Sequence, residues 1–408
     1  LLAATILVKK GCKALIIHND REHPVSWLTS SLLLERILDL LDGRSCCTTP
    51  FPFQIITKNQ RVDFNGKNSL ADELRRELPS EHKEVATFLD DMLALGEQLE
   101  ESLWEHQGLP INSLGNKLRF KKKCFRADIP GRVFRQTLRE RLTTFKEPAA
   151  RKFLTSLFCG YSFAPSNKLT LAECALIWSG LGRQSGIVKS GLAELLWHRY
   201  KQFHGDEDEL HRLARIRTDK TGAGKFLFED DKVASADHIV FADRGTIPLC
   251  EGLTPPPTGR VTRSHLSGDI KNRISPLLAK NVIIDGNPPL RLNFEESDMA
   301  IQCHVENAML SDQGLVSPDQ IEKRVSKILP FTNLALTPKM TCAETDVTIR
   351  SNDRSALMSA FEKISFDHGR KYLCCGNAVI PELGTVGEVL VALTVANKLL
   401  QETGNPPL

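Results

Sequence analysis

The sequence predicts an α/β fold organised in two or three structural units. Three observations predict it. The first twenty residues read as a helix followed by a continuous apolar strand. The last stretch reads as a strand, a Gly-containing loop and a long apolar helix. At 408 residues the chain also exceeds what one compact core accommodates, so two or three units are expected.

Leu2, Ile6 and Leu7 recur at helical spacing, Lys9 and Lys10 occupy the last turn, and Gly11 stands where a C-terminal cap belongs. Ala14-Leu15-Ile16-Ile17 then forms a short apolar run ending in His18-Asn19-Asp20, which suits a parallel strand buried on both faces. Helix then strand is the second half of a βαβ unit, so a hydrophobic strand and a Gly-rich turn are expected upstream of Leu1. Residues 27–41 have the periodicity of one amphipathic helix, and Phe53–Ile56 with Arg61–Phe64 read as a strand pair. Helices are predicted over 70–78 and 84–104. The basic stretch Arg119, Lys121, Lys122, Lys123 and Arg126 reads as a solvated charged face rather than an anion site.

Helical signals continue through 132–158, 169–181 and 192–200. Segments 213–217, 225–228 and 238–241 read as three strands around the turn Thr221-Gly222-Ala223-Gly224. Thr254-Pro255-Pro256-Pro257 is a loop or linker, followed by predicted strands at 282–284, 290–294 and 301–305 and a helix over 318–328 capped by Ser317. A strand at 372–375 and an apolar helix over 386–400 close the chain, and both end strands, 14–17 and 372–375, are expected in one parallel sheet.

Composition narrows the function classes. Apolar content of 41% and charged content of 25% are ordinary for a globular protein, and the net charge of +3 argues against a nucleic-acid partner. No apolar run approaches the roughly 20 residues of a bilayer span. The eleven cysteines lack a CxxC pair or regular spacing and read as buried free thiols of a cytoplasmic protein. No HExxH, GxSxG elbow or P-loop is present, Cys303-His304 reads as strand packing, and no metal is expected.

Three separated segments carry chemistry. Leu1-Leu2-Ala3-Ala4 looks like the residues directly after the last glycine of a GxGxxG turn, where a helix N-terminus receives a pyrophosphate. Register with Gly11 places the ribose-binding position of such a unit on His18, with Asp20 close by. The second segment, Lys189-Ser190-Gly191-Leu192-Ala193-Glu194-Leu195 followed by Leu213 and Ile216, resembles the small-residue helix start of flavin oxidoreductases, with Ser190 in place of a glycine. The third runs from Tyr372 through Gly376-Asn377 to Pro381-Glu382-Leu383-Gly384-Thr385-Val386-Gly387-Glu388. It resembles their strand, Gly-Asp and Gly-x-x-Gly turn, with Asn377 in place of Asp.

In this order the segments resemble the FAD-dependent oxidoreductases of the phytoene desaturase and amine oxidase superfamily, and the resemblance runs through nearly the whole chain. It implies a three-layer FAD/NAD(P)-binding, Rossmann-like domain built from about residues 1–60, 185–250 and 365–408, with a mixed α+β substrate domain from about 61–184 and 251–364. It implies FAD as cofactor, contacted by Leu2, His18, Asp20, Ser190, Gly191, Leu192, Leu213, Gly376, Asn377, Gly384 and Gly387. The implied reaction is dehydrogenation or isomerisation of an apolar small-molecule substrate. Such a reaction needs positioning and exclusion of water more than a dedicated acid or base, and no catalytic residue is assigned. Peripheral membrane contact is a further expectation. The competing class is a flavin-free, non-catalytic binding protein on the same scaffold, which the departures from pattern at His18, Ser190 and Asn377 would suit.

Overall fold

A computed structural model describes the chain apart from residues 18–26, 44–47, 65–68, 110–113, 188, 209–211, 219–223, 243–248, 251–260, 271–276, 297–300, 311–317, 329–333, 338–356, 358–363, 365–371 and 376–378. Its helices are α1 Leu2–Lys9, α2 Leu32–Leu40, α3 Leu70–Glu77, α4 His82–Glu105, α5 Leu114–Arg126, α6 Leu138–Leu142, α7 Pro148–Ser162, α8 Leu171–Gly182, α9 Lys189–Gln202, α10 Pro318–Ser326 and α11 Gly384–Glu402. The strands are β1 Leu15–Ile17, β2 Thr48–Pro50, β3 Phe53–Ile56, β4 Arg61–Phe64, β5 Ser185–Ile187, β6 Asp206–Asp208, β7 Leu213–Thr218, β8 Gly224–Phe228, β9 Val233–Ala236, β10 Ile239–Phe241, β11 Val261–Ile270, β12 Asn281–Ile284, β13 Leu290–Glu296, β14 Ile301–Leu310, β15 Leu334–Thr337 and β16 Tyr372–Cys374.

The two ends of the chain meet in one α/β unit. β1 pairs in parallel with β6, and β10 pairs in parallel with β16. The helix α1 packs against both α9 and α11, so the first, middle and last stretches share a helical layer. Ile6 and Leu7 of α1 enter the same apolar core as Val389, Leu390 and Leu393 of α11. Among the described residues β1 and β16 do not share a sheet, contrary to the expectation for 14–17 and 372–375. Each has its hydrogen-bonded partner in the 206–241 region, and packing of α1 on α11 joins the two pairs.

The second unit is a seven-stranded sheet in the order β15-β11-β14-β13-β12-β3-β4, antiparallel except where β12 runs parallel to β3. Side chains alternate across it. Val282, Ile284, Leu290, Leu292 and Phe294 form a small core with Ile321 and Val325 of α10. Phe53, Ile55 and Ile283 point the other way, into the main core beneath α7. Helices α4 and α8 pack together behind α7 and complete that side.

Several elements differ from their sequence patterns for local reasons. The periodic segment 27–41 is helical only from Leu32, because Ser31 caps the helix by accepting a hydrogen bond from the Leu34 N–H. Ahead of it, Thr29 makes a β-bridge to Gly186. The stretch 132–158 divides at Thr137, whose capping box with Glu140 starts α6, and at Pro148, which starts α7. Segment 239–241 leaves the hairpin region: β7 and β8 form a meander with β9, and β10 goes to β16. The predicted Ser317 cap lies outside the described residues.

Candidate functional site

The start of α11 lies where the two units touch. Leu383 precedes the helix and Gly384 opens it at φ +53°. Thr385 then clamps the extended segment before α2: its Oγ1 donates to the Trp27 carbonyl at 3.0 Å and accepts from the Thr29 N–H at 3.2 Å. One turn on lies Glu388, and Leu1 and Cys375, which directly follows β16, pack against the same apolar core as the first turn of α11. The helix α1 packs on α11, and residues at the amino ends of both helices and at the carboxyl end of β16 share one core.

Tyr161, near the end of α7, closes this junction from the sheet side. Its ring lies 6.3 Å from Trp27, and Trp27 lies 5.5 Å edge-on from Phe51. Burial raises the Tyr161 phenol above its usual pKa, opposed by the neighbouring Thr29 side chain and by the nearby Arg291 charge, so the hydroxyl keeps its proton. Arg291 on β13 donates from Nη1 to the Tyr161 carbonyl at 3.0 Å and forms an ion pair with Glu306, directly opposite on β14. Its guanidinium sits 4.6 Å from the Phe163 ring centre, 5.5 Å from Tyr161 and 5.8 Å from Trp27. Arg291 is 4% exposed and Glu306 5%, so this charge pair is held almost dry against aromatic faces. Burial also pushes the Cys375 thiol up to about 12, which keeps it protonated and a poor nucleophile.

The residues singled out from sequence distribute as follows. Leu2 opens α1 and is partly buried. Ser190, Gly191 and Leu192 lie in the first turn of α9, which packs on α1, and Leu192 reaches the main core. Leu213 begins β7 in the separate three-stranded meander. His18, Asp20, Gly376 and Asn377 lie outside the described residues. Gly384 and Gly387 both lie in the first turn of α11, and in each case the chain's own atoms take up the space beside the missing side chain. A Cβ on Gly384 would strike the Tyr161 hydroxyl, and one on Gly387 would come 2.6 Å from the Ile380 carbonyl oxygen. Both glycines therefore have a packing role whatever else they do.

Sequence reading did not single out Trp27, Tyr161, Arg291, Glu306 or Thr385. Arg291 did carry one signal: it alternates with Leu290 and Leu292 in a strand whose other face is apolar. Its partner Glu306 becomes apparent only from the register of β13 on β14.

The arrangement is similar to several solved structures over nearly its full length. Cyclohexylamine oxidase from Brevibacterium oxydans IH-35A shares 14% identity and a TM-score of 0.57, over 99% of this chain and 97% of that one. Putrescine oxidase bound to putrescine shares 10% identity and a TM-score of 0.58, over 98% and 96%. The CLA-producing fatty acid isomerase from P. acnes shares 9% identity and a TM-score of 0.57, over 98% and 95%. No protein-family profile and no curated protein sequence matches the chain. The chain thus has the mixed α/β fold of these oxidases and this isomerase, as its three motifs led one to expect.

Proposed function

We propose that this protein is an FAD-dependent enzyme that oxidises or isomerises a largely apolar small molecule. The observation that carries the proposal is convergence: α1 packs on both α9 and α11, so three motifs separated by more than a hundred residues each fold into one unit. The residues present fit an extended anionic cofactor. The amino ends of α1 and α11, two helices that pack together, would offer backbone N–H groups and positive dipole ends to its anionic groups. Leu2 would lie at the pyrophosphate and the first turn of α11 at the ring system, with the cofactor domain built from about residues 1–60, 185–250 and 365–408. Bound FAD supplies the hydride-accepting centre of the reaction.

The chain's own residues set the environment. Arg291 is neutralised by Glu306, Tyr161 keeps its proton, and Trp27, Phe51 and Phe163 add aromatic faces. This wall has no net charge and is largely buried, which favours an apolar substrate over a charged one. Purified full-length protein should show visible flavin absorbance, or acquire it on incubation with FAD and retain it through gel filtration. Protein that stays colourless after that treatment favours the flavin-free binding-protein reading instead.

A further inference from the structure

We propose that α5 is a membrane-docking element that seats the protein on an anionic lipid surface. The helix reads LGNKLRFKKKCFR, with cations at Lys117, Arg119, Lys121, Lys122, Lys123 and Arg126 and no acidic residue. Its inner seam is anchored: Phe120 and Cys124 are buried, and Phe120 lies edge-on to His106 at 5.4 Å and to Phe134 at 6.1 Å. Lys123 pairs with Glu105 at the end of α4. The outer side is unusual. Leu118 is 64% exposed and Phe125 81%, the highest exposure of any large apolar side chain among the described residues.

Leu118 and Phe125 are seven residues apart, two helical turns, and so share a face. Lys121 and Lys122 lie between them on that side, and Arg119 and Arg126 follow each apolar residue. Among the described residues none of these four cations has an acidic partner within ion-pairing distance. A merely solvated face has no use for an exposed phenylalanine, and a buried protein interface disfavours so many lysines. A lipid headgroup layer satisfies both groups at once, because phosphates take the cations while Leu118 and Phe125 enter the acyl boundary. The net charge of the whole chain is only +3, so the positive charge of α5 is a local feature.

Flotation of the full-length protein with phosphatidylcholine vesicles, with and without phosphatidylglycerol, tests the proposal. Binding should require the anionic lipid, each engaged cation contributing about fivefold, and weaken as salt rises. A Leu118→Ser, Phe125→Ser variant should bind on the order of tenfold more weakly and a Lys121→Glu, Lys122→Glu variant at least about 25-fold more weakly, with thermal melts unchanged because these side chains are exposed. Equal binding to both vesicle types, or undiminished binding by the serine variant, overturns the proposal. So does concentration-dependent self-association that the serine variant abolishes, which would assign the face to a second copy. The assay reads no flavin signal, so failure here leaves the cofactor reading untouched.

Discussion

Arg291 and Glu306 illustrate how one buried pair can set the character of a junction. Both are drawn out of water, and each compensates the other's charge within a shell of aromatic rings. Removing one partner leaves the other buried and uncompensated, so Arg291→Met should destabilise the protein by about 3–5 kcal/mol. Adding Glu306→Leu should recover much of that loss, and denaturant midpoints of the single and double variants check both outcomes. Glu100 behaves differently. It accepts hydrogen bonds from the Leu33 N–H and the Ser179 hydroxyl, yet burial dominates and raises its pKa above the usual carboxylate value. The folded state then holds the Glu100 proton more tightly than the unfolded state does. This group's contribution to stability is therefore fully present below the unfolded pKa of about 4.3 and is lost as pH rises through the raised folded value. Unfolding midpoints followed over that range should fall with pH in the wild type by more than in Glu100→Gln. Equal slopes would show that Glu100 is not the group responsible.

At the scale of the element, helix ends decide where periodic patterns become structure. The helix α1 stops because Gly11 adopts φ +85°, with the Gly11 N–H on the Val8 carbonyl and the Cys12 N–H on the Leu7 carbonyl, both at 3.0 Å. A Cβ on Gly11 would meet no atom within 4 Å, so the cost of Gly11→Ala is conformational alone, about 1 kcal/mol. Gly387 is the opposite case, since its added Cβ meets the Ile380 carbonyl. Gly387→Leu should cost about 1–3 kcal/mol through overpacking, so any loss of flavin must be judged against its melting curve. The helix α8 starts on a capping box in which Thr170 accepts from the Glu173 N–H and Glu173 accepts from the Thr170 N–H. Glu173 also accepts from the Leu357 N–H at 3.3 Å, linking this cap to the distal chain.

The whole molecule is held together by contacts between distant stretches. The parallel joint of β3 with β12 links residues near 55 to residues near 283, and α1 rests on α11 from the other end of the sequence. Such topology folds slowly, because loop closure must precede most of the stabilising contacts. A ligand bridging α1, α9 and α11 would draw on the same long-range arrangement. FAD supplied at about 100 times its dissociation constant should raise the stability of the full-length protein by about 2.7 kcal/mol, seen as a higher melting temperature. An unchanged melt at saturating FAD would count against the cofactor assignment.

What the sequence by itself determined is whatever short-range chemistry encodes. Periodicity and caps were enough to place α1, β1, α4 and α8 close to their observed bounds, and three motifs in order pointed to the fold before any contact was known. Pairing partners were not legible in this way. The segment VTRSHLSGDI of β11 lacks strand alternation, yet it is a ten-residue strand because β14 on one side and β15 on the other satisfy its backbone hydrogen bonds. Likewise β10 looks like part of a local hairpin until its parallel pairing with β16 appears. The Arg291–Glu306 pair, the aromatic wall and the clamp from Thr385 to Trp27 exist only once register and helix packing bring together residues that are distant in sequence. Local patterns specify elements because hydrogen bonds and side-chain periodicity act over a few residues. Only the tertiary structure decided the site, because burial and charge neutralisation depend on neighbours that the chain supplies from far away.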